Sequence, residues 1–409
     1  MEGSATIHIL FHVPEGLEQT AIVDLKEGIL PLEHVDPLAT VFIGEERTGR
    51  VHLFSKLRQQ DDTKRWIQLL RSTELLSVYH MTLITKTTAV PFTVYHDQDP
   101  EALGEYLHKT IQEAPWQECI EALAKDDDDT LTPPSFRATF YKDQLQHGIK
   151  TQELAGWMGY AYNKLYPDWK VSLKTYDYDV VGVWGRTRDT ALLGHFGLAD
   201  LGDSLPPTTE TGDASKRQDD EQVDHRPILL YVGFNIPMPD TKYRNRLFLG
   251  RTSLNPPIAY CLVRLANPLP GQVIMDMCCG TGGEVKIKTL CLKAKGNMQH
   301  AGVQNVDLLI SDGRKLNFRP GCIDTVISDW PWGVREGSFA TIQKLYPKFM
   351  RQLGRVLRTG GKAYIVCQGN KLMQRVLDYD WVQGLFRIEE ILSIAIGGLG
   401  VCVYVLIKK

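Results

Sequence analysis

The chain has 409 residues, of which 43% are hydrophobic and 23% charged, and its formal net charge is -3. Such a chain is expected to form two or three globular domains, and the charge excludes a globally basic protein. No apolar run approaches the ~18 residues that cross a bilayer. The eight cysteines form no CxxC pair and no signal peptide opens the chain, so we expect free thiols, no metal site, and a cytoplasmic or nuclear protein.

The first hundred residues alternate strand-like and helix-like patterns. Alternating polar and apolar side chains indicate strands, and apolar side chains three or four residues apart indicate helices. The predicted elements are strands over 5–13, 51–54 and 77–85, and helices over 15–28 and 63–76. This order indicates a small α+β unit. Four acids at 126–129, followed by two nearby prolines, predict a loop.

A second α+β unit follows the acidic loop. Its predicted elements are strands over 136–141, 171–173 and 178–184, and a helix over 152–166. Residues 200–224 contain eight acidic residues but only two basic ones, Lys216 and Arg217. Because such a polar segment cannot bury enough apolar surface to fold, we predict a disordered insertion at about 200–225.

From residue 267 onward, apolar strand-like runs alternate with helices. The predicted strands are 272–277, 307–310, 325–328, 363–367 and 401–407, and the predicted helices are 289–301 and 346–357. This pattern is typical of a doubly wound α/β domain. Ligands in such domains bind outside the carboxyl ends of the strands.

Two motifs at predicted strand ends suggest a nucleotide-like ligand. The first is VIMDMCCGTGG at 273–283, where Gly280 and Gly282 would let the backbone approach a ligand closely. The second is ISDGRKL at 310–316, where Asp312 could accept a hydrogen bond from an adenine amino group. Taken alone, the first is also compatible with a plain strand-to-helix turn, and the second is more typical of an ordinary acid between a strand and a loop.

The third motif, ISDWPWG at 327–333, is the most specific. An aromatic exocyclic amine is a poor nucleophile because its lone pair is delocalised into the ring. Asp329 and a backbone carbonyl beside Pro331 could accept its two hydrogen bonds and aim the lone pair at a methyl group. Trp332 could stack on the base. The tetrapeptide alone is equally typical of a proline turn with a core tryptophan.

With these motifs the chain resembles the THUMP-domain tRNA (guanine-N2)-methyltransferases of the eukaryotic type. The resemblance also includes VPEGLEQTA at 13–21, FRATFYKDQLQH at 136–147 and GGLGVCVYVL at 397–406. It implies an α/β fold with a Rossmann-like methyltransferase domain at 246–409. A ferredoxin-like α+β unit at 1–125 and a THUMP-like RNA-binding unit at 126–245 would precede this domain.

The resemblance also implies the ligands and the residues that hold them. S-adenosylmethionine would be the cofactor, and Cys278 would be structural. The partners would be the acceptor end of tRNA and a small zinc-binding activator subunit. The implied cofactor-binding residues are Asp276, Gly280, Thr281, Gly282, Asp312 and Gly313, and the implied catalytic residues are Asp329, Pro331 and Trp332.

One segment departs from the pattern of the family. Two parallel crossovers and the strand between them need about 40 residues. Only 29 residues (312 − 282 − 1) separate Gly282 from Asp312. We therefore predict a shortened crossover near 283–305, with Val285 or Lys286 in place of the acid that binds the ribose hydroxyls. A shortened isoform, an error in the deduced sequence, or a loss of cofactor binding would each explain it.

Three functional hypotheses follow from the sequence. The first is methyl transfer from S-adenosylmethionine to the exocyclic N2 of a guanosine in tRNA. The second is a non-catalytic RNA- or partner-binding derivative with impaired cofactor binding, and the third is an adenine-N6 methyltransferase. A phosphate-facing surface would be formed by basic residues of the second unit, namely Arg137, Lys142, Lys150, Lys164, Lys170 and Lys174.

Overall fold

The computed structural model describes residues 6–57, 62–96, 99–124, 133–142, 145, 147–187, 189–203, 226–250, 253–279, 287–333, 338–368 and 370–409. These residues form two compact units. The first unit is drawn from Met1–His12, Lys26–Glu74 and His80–Pro237, and the second from Val13–Leu25, Leu75–Tyr79 and Met238–Lys409. The predicted loop at 126–129, and the predicted insertion from residue 204 on, lie outside the described residues.

The strands, numbered along the chain, belong to two sheets. They are β1 (Thr6–His12), β2 (Thr40–Glu45), β3 (Arg50–Lys56), β4 (His80–Val90), β5 (Ser135–Tyr141), β6 (Lys170–Val171), β7 (Tyr178–Arg186), β8 (Ile228–Ile236), β9 (Ile274–Met275), β10 (Ile323–Asp329), β11 (Leu357–Cys367), β12 (Phe386–Ile396) and β13 (Leu399–Lys408).

The helices connect and cover these strands. They are α1 (Glu18–Ile29), α2 (Asp62–Ser72), α3 (Phe92–His96), α4 (Pro100–Gln112), α5 (Trp116–Leu123), α6 (Thr151–Leu165), α7 (Thr190–His195), α8 (Asp200–Asp203), α9 (Pro256–Ala266), α10 (Ile287–His300), α11 (Phe339–Val356), α12 (Asn370–Leu377) and α13 (Asp380–Leu385).

The first unit is built on one sheet. Its strands follow the order β2-β3-β1-β4-β8-β7-β5-β6, and β5 pairs in parallel with β6 and β7 while the other pairs are antiparallel. Strands β1, β7 and β8 are buried almost throughout. Strands buried on both faces need apolar side chains at consecutive positions, which explains runs such as ILLYVGF in β8.

A hydrogen-bonded chain of polar side chains lies inside this sheet. Glu45 Oε2 lies 3.1 Å from Arg50 Nη2 and 3.3 Å from His52 Nε2, and His52 Nδ1 lies 3.0 Å from His8 Nε2. Burial, followed by the neighbouring His52 and His195, lowers the pKa of His8 well below its ordinary value. The His8 ring is therefore neutral in the folded protein at neutral pH.

The second unit has a five-stranded sheet in the order β12-β13-β11-β10-β9. Strands β9, β10 and β11 are parallel, and β13 pairs antiparallel with β11 and β12. Successive residues of β11 join two different core clusters: Ile365 packs with the side chains of α11, and Val366 packs with those of α9. Since side chains alternate along a strand, helices cover both faces of this sheet, as the doubly wound pattern predicts.

Two segments from the amino-terminal part of the chain belong to this second unit. Asp24 Oδ1 accepts a hydrogen bond from the Tyr260 hydroxyl at 2.6 Å, and Asp24 Oδ2 accepts one from the Ser77 hydroxyl at 2.6 Å. Leu17 packs in the same core cluster as Ile258. Residues near 17–24 and 77 thus hold α9 in place. The division at 1–125, 126–245 and 246–409 stays a prediction.

The structure confirms the elements with strong local patterns. Strands β1, β3, β5, β7, β10 and β13 and helices α1, α2, α6 and α10 lie where the sequence predicts them, within a few residues at their ends. Strand β11 and helix α11 end where predicted but begin six and seven residues earlier, at Leu357 and Phe339. Strands β4, β6 and β9 are shifted or shorter than predicted, and β6 and β9 each have two residues. The sequence analysis did not predict β2, β8 and β12.

The predicted strand over 307–310 is wrong. The structure describes these residues as irregular, and Leu308, Leu309 and Ile310 are 41%, 56% and 62% exposed. Among the described residues β9 pairs with β10 alone, so no strand lies on its other side. An apolar run becomes a strand only when a neighbouring backbone satisfies its hydrogen bonds, and this run has no such neighbour there.

Candidate active site

The candidate site begins where β10 ends, at Asp329. Strand β10 lies between its parallel neighbours β9 and β11. The Trp330 backbone N–H donates to the Val366 carbonyl at 2.9 Å, which extends the pairing with β11 one residue beyond Asp329. Asp329 therefore lies at the carboxyl edge of the three parallel strands, where ligands bind in this class of fold.

The turn after Asp329 is anchored by helix α11. The Trp330 side chain is 1% exposed, and its ring lies 5.3 Å from the rings of both Tyr346 and Phe349 in edge-to-face geometry. The Tyr346 hydroxyl donates to the Pro331 carbonyl at 2.8 Å. Gly333 ends the turn with a φ of +74°, a left-handed conformation that favours glycine. Sequence reasoning missed Tyr346, whose helical spacing predicts only a core position.

Trp332 faces the other core cluster. Its side chain is half-buried and packs against the cluster that contains Tyr364 and Val366. Its indole Nε1–H donates a hydrogen bond to Asp329 Oδ1 at 2.8 Å. Two of the three predicted catalytic residues, Asp329 and Trp332, are thus in direct contact, and Pro331 is held between them by Tyr346.

Asp276 follows β9, beside the end of β10. Its Oδ1 accepts hydrogen bonds from the Cys278 backbone N–H at 2.9 Å and from the Ser328 hydroxyl at 2.7 Å. Desolvation of the Asp276 carboxyl by the surrounding protein raises its pKa, and these two hydrogen bonds oppose the rise. Ser328 thereby connects the predicted cofactor motif to the predicted amine-binding motif. It is a functional candidate that sequence reasoning missed, although a serine beside Asp329 in an apolar strand could have signalled it.

The neighbouring cysteines are free thiols. Cys278 is partly buried and packs against the core cluster of α11. Burial, followed by the charge of Asp276, raises the pKa of the Cys278 thiol, so it stays protonated at neutral pH. This protonated, packed thiol fits the structural role that the resemblance implies. The predicted cofactor-binding residues Gly280, Thr281 and Gly282 lie outside the described residues.

The predicted adenine-facing turn is exposed, and its Asp312 carboxylate is paired with the Arg314 guanidinium. Asp312 accepts hydrogen bonds from Arg314 Nε at 2.9 Å and Nη2 at 2.7 Å, and these bonds lower the pKa of its carboxyl to about 2. A Cβ on Gly313 would lie 2.8 Å from the Phe349 ring. Because Phe349 also contacts Trp330, the turn at 312–313 and the turn after Asp329 pack on the same side chain.

Comparison with known proteins agrees with this geometry. Residues 243–285 and 283–384 match the family described as UPF0020: RMKL-like, methyltransferase domain. The human tRNA (guanine(6)-N(2))-methyltransferase THUMP3 is 28% identical over 209 residues, which are 44% of this chain and 41% of that protein. The mouse protein of the same name is 30% identical over 193 residues, 40% of this chain and 38% of that protein. The chain is similar to these tRNA (guanine-N2)-methyltransferases over about two fifths of its length.

This relationship confirms the resemblance that the motifs predict, over part of the relatives only. The chain spans about two fifths of the length of these curated relatives. The family match is split near residue 283, where the sequence predicts the shortened crossover.

Solved structures share the fold over nearly the whole chain. TrmN from Thermus thermophilus superposes with a TM-score of 0.59 at 18% identity, covering 98% of this chain and all of TrmN. SMU.472, described as a methyltransferase and solved in complex with SAH, superposes with a TM-score of 0.56 at 11% identity, covering 98% of this chain and 97% of that one. The predicted Rossmann-like methyltransferase fold is confirmed.

Two of the six basic residues predicted to face phosphate, Arg137 and Lys142, already bind to acceptors of the protein itself. Arg137 Nη2 lies 2.6 Å from Asp179 Oδ2, and Lys142 Nζ donates to two backbone carbonyls. The Lys164 ammonium lies 4.6 Å from the centre of the exposed Tyr160 ring. The lysines of α6 and β6 are therefore better placed for phosphate than Arg137 or Lys142.

Two general features bear on the class of site. None of the helices in the described part of the chain has the length and apolarity of a membrane span. Nor do the described residues bring together three or more His, Cys, Asp or Glu side chains that could hold a metal ion.

Proposed function

We propose that this chain transfers the methyl group of S-adenosylmethionine to the exocyclic N2 of a guanosine in tRNA. The observation that carries the proposal is the contact between its two motifs. Asp276 follows β9, Asp329 ends the adjacent parallel strand β10, and Ser328 bonds directly to Asp276. A cofactor held at Asp276 and an amine held at Asp329 would therefore lie side by side.

The described part of the cofactor motif fits S-adenosylmethionine. Asp276 presents a carboxylate at the carboxyl end of β9, where it can accept hydrogen bonds from a ligand, and the Ser328 and Cys278 donors hold that carboxylate in place. When bound, the cofactor supplies an electrophilic methyl group. We propose Asp276, Gly280, Thr281, Gly282, Asp312 and Gly313 as its binding residues. Asp312 would exchange its Arg314 partner for the adenine amino group.

The residues of the turn at 329–333 would orient the amine. Asp329 accepts one N–H of the guanine N2 amine, and a backbone carbonyl beside Pro331 accepts the other. The Pro331 carbonyl is already bonded to the Tyr346 hydroxyl, so the Trp330 carbonyl is the better acceptor. Two acceptors in fixed positions rotate the amine lone pair out of conjugation and towards the methyl group. The rate gain is one of positioning and electrostatics.

The remaining parts of the chain would deliver the RNA and a partner. We propose a ferredoxin-like unit at 1–125 and a THUMP-like unit at 126–245 that holds the tRNA acceptor end, with the catalytic domain at 246–409. The lysines of α6 and β6 would contact phosphates. A small zinc-binding activator subunit would bind the catalytic domain, on which Leu247 and Phe248 are 55% and 41% exposed. The protein would act in the cytoplasm or nucleus.

Methyl transfer to defined tRNA tests the proposal. The chain, with and without a co-expressed activator, is incubated with tRNA and labelled S-adenosylmethionine, and nucleosides of the digested product are separated. We expect N2-methylguanosine. Asp329→Ala should reduce the rate by roughly 10- to 100-fold because a hydrogen bond to a charged group is lost. Asp329→Asn, which keeps an acceptor oxygen, should retain more activity than Asp329→Ala.

The other outcomes distinguish the alternatives. Product labelled only on adenine N6 would replace guanosine with adenosine as the substrate. Cofactor binding is measured by calorimetry on this chain and on a version carrying a family-like helix and strand after Glu284. No binding by this chain, with tight binding by the other version, would identify a non-catalytic derivative. That pair of results would place the defect in the shortened crossover near 283–305.

A further inference from the structure

The two tryptophans of the motif lie on opposite sides of the sheet. Trp330 packs with Tyr346 and Phe349 in the core cluster of α11, whereas Trp332 packs against the cluster of Tyr364 and Val366. Each ring thus holds the short turn to a different hydrophobic core. A ring fixed in this way is poorly placed to move towards a ligand, because leaving the core would expose apolar surface to water.

The Trp332 ring is also oriented by its hydrogen bond. The indole N–H lies in the ring plane, so an acceptor 2.8 Å away with good geometry lies close to that plane. Asp329 Oδ1 therefore lies near the plane of the Trp332 ring. The ring edge, and not its face, is directed at the carboxylate.

This hydrogen bond does not use up the acceptor capacity of Asp329. An ionised carboxylate has two oxygens with about four lone-pair sites, so it can accept from the indole and from a substrate amine at the same time. The bond to Oδ1 fixes the carboxylate, and the remaining lone pairs then point in defined directions.

We infer that Trp332 is a positioning residue, whose indole N–H fixes the Asp329 carboxylate for the target amine. The inference rests on the proposed function, because it assigns a role within that site. Trp332 supplies a donor that holds one oxygen of Asp329, so the carboxylate does not have to be oriented when substrate arrives. Such preorganisation raises the rate of the chemical step more than the affinity for RNA.

Two substitutions separate a donor from a stacking face. Trp332→Phe keeps an aromatic face and removes the N–H. Trp332→His keeps an N–H at the same ring position as indole Nε1 and loses the larger ring. Trp381→Phe is the matched control, because Trp381 is a partly buried tryptophan of the same unit that contacts Arg351. Single-turnover methyl transfer and RNA affinity are measured for each variant, with melting temperature as the check on folding.

We expect Trp332→Phe to lower the single-turnover rate about tenfold, since the hydrogen bond to a charged group is lost, with RNA affinity changed less than about twofold. Trp332→His should recover most of the rate, and Trp381→Phe should match the wild type. The opposite pattern would overturn the inference: Trp332→Phe active as wild type, and Trp332→His weakened in RNA affinity.

A second readout is independent of catalysis. In protein labelled with 15N-tryptophan, the Trp332 indole resonance is identified by its loss in Trp332→Phe, and Asp329→Ala should shift it as the hydrogen bond disappears. Addition of tRNA should leave that resonance near its hydrogen-bonded position; a large shift would overturn the inference. A wild-type chain without methyl transfer would refute the proposed function, while the resonance would still report the contact between Trp332 and Asp329.

Discussion

The hydrogen bond between Ser328 and Asp276 gives the sharpest test of how the site is assembled. Ser328 is 2% exposed, and its hydroxyl lies 2.7 Å from Asp276 Oδ1. Ser328→Ala removes the hydroxyl and leaves the strand backbone unchanged. We expect weaker cofactor binding, because Asp276 loses a donor that orients its carboxylate and stabilises its charge.

The magnitude follows from what remains at Asp276. A hydrogen bond to a charged group contributes about 1.5–3 kcal/mol. The Cys278 backbone N–H still bonds to the same oxygen at 2.9 Å and retains part of the orientation. We therefore expect a loss below that range, about 0.7–1.4 kcal/mol, which is a threefold to tenfold higher Kd. Loss of a donor also raises the pKa of Asp276 further, so cofactor binding should fail at a higher pH on acidification.

Calorimetric titration with S-adenosylmethionine and with SAH between pH 5 and pH 8 measures both effects. Thr325→Val is the matched control, because Thr325 is 5% exposed on the same strand and lies beside Ile274 rather than Asp276. Equal Kd values for Ser328→Ala and the wild type, at every pH, would refute the reasoning. So would an equal loss in Thr325→Val, since the effect would then belong to the strand and not to Asp276.

Three further predictions concern the supporting structure. Tyr346→Phe should lower the methyl-transfer rate severalfold at unchanged cofactor Kd, because the Pro331 carbonyl loses its donor. Tyr404→Phe, which removes another buried tyrosine hydroxyl of the same core cluster, should leave the rate unchanged, and equal rates for the two variants would contradict this. The free energy of unfolding should fall as pH drops from 7 to 5, and the fall approaches about 1.4 kcal/mol per pH unit, once the pH is well below 6.5, for each histidine that, like His8, stays neutral when folded. The sign follows because the unfolded chain binds protons below about 6.5, which the folded histidine does not; a urea midpoint independent of pH would exclude it. Tyr260→Phe should lower the free energy of unfolding by about 1–2 kcal/mol, since the Asp24 carboxylate loses a donor, and a melting temperature equal to that of the wild type would contradict this.

The sequence predicts those parts of the fold that have a local signal. Helix α6 has apolar residues at helical spacing, and β7 is a buried apolar run, so each was predicted within two residues. The run at 307–310 has the same local signal as a strand, yet it is irregular and exposed. Its conformation depends on a partner strand, and the presence of that partner is decided by residues elsewhere in the chain. Short-range periodicity contains no information about such a neighbour.

In the candidate site too, the sequence predicts the acidic residues but not the side chains that contact them. Motif chemistry predicts Asp276 and Asp329, because each lies in a motif whose neighbouring residues suit a ligand: Gly280 and Gly282 follow Asp276, and Pro331 and Trp332 follow Asp329. Which side chains contact those carboxylates depends on how the neighbouring strands are aligned. Strand β10 pairs with β9 so that Val326 lies opposite Met275, which brings Ser328 to Asp276 just beyond the paired residues. A slip of one residue would turn Ser328 to the face that Asp329 now occupies, and Asp329 to the face that Ser328 now occupies. Ser328 and Trp332 therefore acquire their roles only when the sheet is assembled, and substitutions there test the assembled site more directly than substitutions of the motif acids do.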